Sequence, residues 1–298
     1  MPTYADSDPL YIPDEMVRAL VDEQFPWLAD RELGRRYKLE DHFTLRIGDD
    51  YGVQMSRLPG YDDLFARVTD VIAPHSAGWS FPASQPIHTG RPGHGYPWHW
   101  VVVPWISAST AAFVPLHAPA AREVGAALSE IHQPAPADAP VNPRTGVGLA
   151  AWRREFEDML TFAVAHGAPE NRELDADGVR AIFERGCAAA VDVAPTWTHG
   201  RLEPRAVMSD QGAFAGLLLW ANFGAGDPAQ DIGFIGTVLG EEMREDFFAA
   251  YGEVSGATVD RALAYLVYAA LRYIEVDDPF LMRMAWERLI ELGVVHEA

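Results

Sequence analysis

The spacing of apolar residues changes character along the chain. Pro13-Asp14-Glu15 opens a stretch in which Met16, Ala19 and Leu20 share one face, which predicts a helix through about Glu23. From Leu33 to Met55 the period falls to two. Phe43, Leu45 and Ile47 alternate with other residues, Gly48-Asp49-Asp50 makes a turn, and Gly52-Val53-Gln54-Met55 returns as a strand. A helix is expected from Tyr61 to Ile72. Loop with short strands is expected through the Pro- and Gly-rich stretch Ser80 to Pro97, then a buried strand at Val101-Val102-Val103. Ser107 to Pro119 reads as a connector.

Beyond the connector the pattern is mainly helical. Ala120 to His132 is amphipathic and stops at Gln133-Pro134, because the residue before a proline is pushed out of the helical region. A Pro-rich loop, Ala135 to Gly148, follows. Helices are then expected at Ala150 to His166, Asp175 to Ala190, Ile232 to Leu239, Glu241 to Tyr251, Thr258 to Ile274 and Pro279 to Leu292. One strong β signal interrupts them. It is a hairpin of Ala206 to Met208, a turn at Ser209-Asp210-Gln211-Gly212, and Ala215 to Trp220. The fold class is therefore α+β. A small mixed β/α N-lobe takes residues 1–105, and a large, mainly helical C-lobe takes residues 106–298.

Composition narrows the partners. A net charge of −20 over 298 residues argues against nucleic acid, which needs clustered Lys and Arg, and against an anionic membrane surface. It favours a well-solvated surface. The expected partner is a small-molecule ligand or a partner protein; no cofactor and no metal are expected. The single cysteine, Cys187, leaves no internal disulfide and reads as a small buried helix residue. Met1-Pro2-Thr3-Tyr4-Ala5-Asp6 lacks a basic and an apolar run, and no apolar segment reaches about 18 residues, so a cytoplasmic protein is expected. His88, His94 and His99 fit no metal-ligand spacing. Trp98, Trp100, Trp105, Trp197 and Trp220 are either core or pocket wall.

Several segments carry a resemblance. Trp197-Thr198-His199-Gly200-Arg201-Leu202-Glu203-Pro204-Arg205-Ala206-Val207-Met208 reads like a kinase-type catalytic loop, His-Gly-Asp-Leu-x-x-x-Asn, with its working residues replaced. Gly216 to Pro228 repeats the frame of a metal-Asp strand. Leu128-Ser129-Glu130-Ile131-His132 resembles a helix end written Leu-x-x-Leu-His, and Asn142-Pro143-Arg144-Thr145-Gly146 the loop after it. Gly90 to Trp98 looks like the segment leading to the hinge. Gly226-Asp227-Pro228-Ala229-x-Asp231 matches in order and in distance from His199-Gly200. Together these resemble the aminoglycoside phosphotransferase family, which implies a protein-kinase-like two-lobe fold.

The resemblance gives each step of phosphoryl transfer an address. That reaction needs its phosphates held, metal ions to neutralise charge, and an aligned acceptor hydroxyl. The phosphate-covering turn, Arg36 to His42, holds no glycine and places Glu40 and Asp41 where a triphosphate would be repelled. The strand position for a Lys or Arg is the neutral Gln54. Its helical partner segment offers Asp62, Asp63 and Asp70 but no Glu. The base position is Arg201, which cannot accept a proton. The metal positions are Ala206 and Leu219, and an alkyl group cannot ligate Mg²⁺. Losing a general base alone costs about 10²–10⁴-fold.

The resemblance therefore implies a degenerate member, a pseudokinase, whose cleft holds a small molecule, anionic among the options, or a partner protein. Two alternatives stand beside it: a repurposed metal-independent enzyme of natural-product metabolism using Arg201, Glu203 and His199, or an unorthodox active aminoglycoside- or macrolide-type phosphotransferase. The ligand-binding candidates are Arg201, Glu203, Arg205, Asn222 and His199. Either the two arginines hold an anion, or Arg201 pairs with Asp227 or Glu203. In the family pattern Asp227 braces the catalytic loop and Asp231 supports the following helix.

Overall fold

The computed structural model describes residues 9–38, 42–59, 62–142 and 148–297, without the side chains of residues 62–64, 66 and 67. Several sequence readings lie outside these residues: the N-terminal segment 1–8, Glu40 and Asp41 of the phosphate-covering turn, the side chains of Asp62 and Asp63, and Pro143 to Gly146. The chain divides into two compact units, 1–107 with 218–221, and 108–217 with 222–298.

In the first unit, α1 (Asp14–Gln24) precedes the strands β1 (Leu33–Lys38), β2 (His42–Ile47) and β3 (Tyr51–Ser56). Then come α2 (Asp62–Ser76), β4 (His88–Gly90) and β5 (Trp100–Pro104). The strands form one antiparallel sheet in the order β1-β2-β3-β5-β4. Alternation sorts its two faces. Phe43, Leu45, Val53, Met55, Trp100 and Val102 pack with Val17, Leu20 and Val21 of α1, whereas Val101 and Val103 meet Phe65 of α2. At Gly90 an added Cβ would lie 2.1 Å from the Trp100 ring, so the β4–β5 contact requires glycine there. α2 runs on past Ile72, the expected end, and takes Pro74 within it. The segment 218–221 joins this unit, where Trp220 stacks on Trp79 with centroids 4.6 Å apart.

The second unit begins with β6 (Ser109–Thr110), α3 (Ala120–Ile131), α4 (Arg153–His166), β7 (Arg172–Leu174) and α5 (Ala176–Ala188). Next come β8 (Thr196–Thr198), β9 (Val207–Asp210), β10 (Ala213–Leu217) and β11 (Gly224–Gly226). The chain ends with α6 (Pro228–Ile235), α7 (Arg244–Tyr251), α8 (Gly256–Glu275), α9 (Pro279–Glu291) and β12 (Val295–Glu297). α8 is the hub. Its buried residues extend from Thr258 to Ile274, and α4, α5, α6 and α9 all pack on it. Small residues allow the close approaches: a Cβ at Gly186 of α5 would lie 2.3 Å from that of Ala264. No helix among the described residues is long and apolar enough to cross a membrane.

The architecture is the expected one, a small antiparallel-sheet lobe and a helical lobe. Several boundaries differ. The expected helix from Ala150 is a 3-10 turn, Leu149–Trp152, followed by α4. The helix placed at Ile232 to Leu239 is α6, which starts at Pro228 because Asp227 caps it and proline suits the first turn. The second hairpin strand ends at Leu217, not Trp220. The backbone turns left-handed at Leu219, φ +65°, and leaves the ladder. The short strands β7, β8, β11 and β12 were not expected.

Candidate functional site

The loop from β8 to β9 carries the candidate residues, and its start is fixed on both sides. β8 pairs with β11, with Thr198 opposite Gly224 and Trp197 opposite Ala225. The Thr198 hydroxyl donates to Gly224 O (2.9 Å) and accepts from Asn142 Nδ2 (3.1 Å); Asn142 N–H donates to Ala225 O (2.8 Å). Trp197 stacks on Phe223. Gly200 has φ +77°, and a Cβ there would lie 2.0 Å from Asn142 Nδ2. Only glycine fits both the backbone and the space.

Beneath the loop lies a buried carboxylate. Asp231 of α6, fully buried, accepts the N–H groups of His199 (2.6 Å) and Gly200 (2.9 Å). His132, at the end of α3, places Nε2 3.1 Å from Asp231 and Nδ1 2.7 Å from the Tyr251 hydroxyl. In this geometry Nε2–H donates to the carboxylate, and Nδ1 is hydrogen-bonded to the phenol. Burial alone would raise the Asp231 pKa. The His132 hydrogen bond and charge, His199 and the Gly200 N–H outweigh it and hold the carboxyl below the usual carboxylate range.

Asp227 works elsewhere. It caps α6 through Ala229 N–H (3.0 Å) and takes a two-pronged contact from Arg261, at 2.7 and 3.2 Å. The roles drawn from the resemblance are thus exchanged: Asp231 braces the loop and Asp227 secures the helix. The two are a helical turn apart. The cap residue turns its oxygens back onto the first N–H groups, so the residue one turn on meets the loop.

Past Gly200 the loop alternates. Leu202, Pro204 and Ala206 are buried, while Arg201, Glu203 and Arg205 are part-exposed. Arg201 Nε donates to Glu203 Oε1 (3.1 Å), and Arg205 Nη2 to Asp278 Oδ2 (2.5 Å). Of the pairings open to Arg201 in the sequence, the structure forms the one with Glu203; Asp227 is taken by Arg261. Asp278 also caps α9 through the N–H groups of Phe280 and Leu281. Burial opposes its ionisation, but the Leu281 N–H and the Arg205 guanidinium hold its carboxyl below the usual range. His199 is fully buried and accepts from Arg201 N–H at Nδ1 (3.2 Å), which makes it a loop brace and removes it from ligand contact. Asn222 Nδ2 reaches Gly200 O at 3.4 Å.

Of the remaining nominated positions, all but Trp197 lie in the first unit. Gln54 is nearly buried in the sheet, opposite Thr44 and Val101. Leu219 holds a left-handed backbone. Asp and Asn adopt that conformation far more readily than Leu, so the backbone suits the residue type that the resemblance puts there. Trp100, Trp197 and Trp220 are core. His94 pairs with Glu23, and His88 packs on Phe25 and Trp27. Sequence reasoning did not assign roles to His132, Tyr251, Thr198, Asn142 or Asp278. His132, Asn142 and Thr198 stand in the quoted motifs without a role, and Asp278 shows an Asp-Pro helix start.

Chemically, the part-exposed side of the loop offers two guanidinium groups, Arg201 paired with Glu203 and Arg205 with Asp278. An entering anion would exchange places with Glu203 or Asp278.

Comparison with known proteins places the family and the fold. Residues 31–266 match the phosphotransferase enzyme family. No curated protein matches the chain by sequence. Solved structures share the fold at low identity. The GDP complex of aminoglycoside 2'-phosphotransferase-IIIa superposes with TM-score 0.62 at 14% identity, over 94% of this chain and 98% of that one. The macrolide 2'-phosphotransferase MphH of Brachybacterium faecium gives 0.56 at 18%, over 90% and 98%. Aminoglycoside phosphotransferase APH(3'')-Id of Streptomyces rimosus gives 0.54 at 16%, over 93% and 100%.

Proposed function

The chain belongs to the phosphotransferase enzyme family, and we propose that it is a member without ATP- and magnesium-dependent phosphoryl transfer, whose loop holds a small anionic molecule instead. One observation carries the reading. At the loop's part-exposed positions, where the resemblance expects a base and metal-bound phosphates, stand the ion pairs Arg201–Glu203 and Arg205–Asp278.

The residues present do not fit Mg²⁺, which takes oxygen donors in near-octahedral geometry. Ala206 and Leu219 carry no side-chain oxygen. The carboxylates of Asp227 and Asp231 already receive Arg261, His132 and backbone N–H groups. Arg201 stays protonated and cannot relieve an acceptor hydroxyl of its proton. Guanidinium groups do suit a carboxylate or phosphate, which they bind through paired hydrogen bonds. The charge a metal would supply is then supplied by the protein itself.

The rival reading is an active phosphotransferase, since several neighbours of the same fold are nucleotide complexes. Incubating the full chain with ATP or GTP, Mg²⁺ and an aminoglycoside or a macrolide decides between them. The proposal expects no nucleoside diphosphate above the uncatalysed background. Pyrophosphate without metal should raise the melting temperature of the protein, and the effect should vanish in Arg201→Ala/Arg205→Ala. Turnover on the order of 1 s⁻¹, ordinary for this chemistry, would overturn it.

A further inference from the structure

The second unit contains a cavity that no residue of the 197–208 loop lines. Its volume is about 690 Å³, and its walls come from residues 135–137, 139, 141 and 148–150, the end of α5, and Gly226, Asp227, Arg261 and Tyr265. That volume lies within the range of small-molecule sites. The walls are mostly apolar, with Pro136, Val141, Leu149, Val191 and Pro195 among them.

Its charged groups are spent on each other. Arg261 donates to Asp227, Asp192, Thr258 Oγ1 and Ala190 O, and Asp227 is shared between Arg261 and the α6 cap. Tyr265 differs. It is 2% exposed and its ring meets Trp152 edge-on, yet among the described residues its hydroxyl has no hydrogen-bond partner. Burial, with Asp227 adding, pushes that phenol well above its usual value, so it stays a proton donor. Tyr265 lines the cavity, and a ligand acceptor placed against its hydroxyl would gain a hydrogen bond in an otherwise apolar wall.

We propose that this cavity binds a neutral, largely apolar small molecule bearing one hydrogen-bond acceptor, which the Tyr265 hydroxyl engages. An ionised ligand is disfavoured there, because it would lose its water without gaining a free counter-charge. The site is built from residues other than the loop positions, so it stands or falls independently of the phosphotransfer question.

The cavity carries its own reporter. Cys187, the only cysteine of the chain, lines it and is half-buried rather than the buried residue expected from the sequence. Burial raises its thiol pKa. The experiment measures the rate at which iodoacetamide alkylates Cys187 in the folded protein, with benzophenone or diphenylmethane as the probe. The two have nearly the same shape, and only benzophenone carries a carbonyl acceptor. Both should slow alkylation, by about tenfold near saturation. Benzophenone should bind about fivefold more tightly than diphenylmethane, the worth of one net hydrogen bond. Tyr265→Phe should abolish that difference and leave diphenylmethane unchanged. Ala139→Trp, on the wall, should remove protection by both probes. Unchanged alkylation with either probe in the unmodified chain would overturn the proposal. So would benzophenone keeping its advantage in Tyr265→Phe.

Discussion

Two sets of charged groups flank the loop at residues 197–208, and they differ in what removing a member would cost. Beneath it, Asp231 is fully out of water and satisfies two loop N–H groups and His132 at once. On its part-exposed side, Arg201–Glu203 and Arg205–Asp278 keep contact with solvent. The first set fixes the backbone of the loop. The second occupies the loop's part-exposed positions, where the proposed reading puts an anion in place of phosphotransfer chemistry. On the proposed reading, the fold holds the frame of the loop firmly while the chemistry on it changes, because the buried brace and the part-exposed ion pairs belong to different residues.

The largest effect should come from Asp231→Asn. An amide cannot accept both loop N–H groups without turning its own NH₂ toward a donor, and breaking a buried ionic hydrogen-bonded set costs about 3–5 kcal/mol. Urea denaturation of the variant checks this. Acid should reveal the same group. The folded pKa of Asp231 lies below its unfolded value, so its contribution is fully present above the unfolded pKa of about 3.9. It is lost as pH falls through the folded value. The difference in stability between the unmodified chain and Asp231→Asn should therefore hold from pH 7 to about 5 and shrink only in stronger acid.

Gly200→Ala should come next, at about 2 kcal/mol or more, since it joins a left-handed backbone to a clash with Asn142. Thermal unfolding of the variant would show it. The smallest effect belongs to Arg201→Ala. A part-exposed ion pair is worth about 1 kcal/mol or less, so the variant should melt within a few degrees of the unmodified chain. A loss there as large as that of Asp231→Asn would collapse the distinction between the two sides of the loop.

Much of this frame could be read in the sequence. The alternation of Phe43, Leu45 and Ile47, the capped helix α8 and the order of the motifs all express local periodicity or fixed spacing, which survive without a structure. What could not be read has a physical reason in each case. Strands such as β8 and β11, Thr196–Thr198 and Gly224–Gly226, are too short to show a period; pairing with each other defines them. The start of α6 was legible in Asp227-Pro228, but the apolar run beginning at Ile232 outweighed it. The exchange of roles between Asp227 and Asp231 turns on the direction of two carboxylates. The His132–Tyr251 contact joins residues 119 apart in the chain. Neither has a local signature. The left-handed backbone at Leu219 was hidden for the opposite reason: leucine is a poor indicator of the conformation it adopts there.

The central claim is that the frame persists without nucleotide-dependent chemistry. It is tested most directly by the melting temperature of the full chain with millimolar ATP or GTP, each with and without Mg²⁺. A nucleotide present at about 100 times its dissociation constant stabilises by about 2.7 kcal/mol, a shift of several degrees. The account predicts no Mg²⁺-dependent shift with either nucleotide. A clear shift that requires Mg²⁺ would contradict it and restore phosphotransfer as the function of the loop.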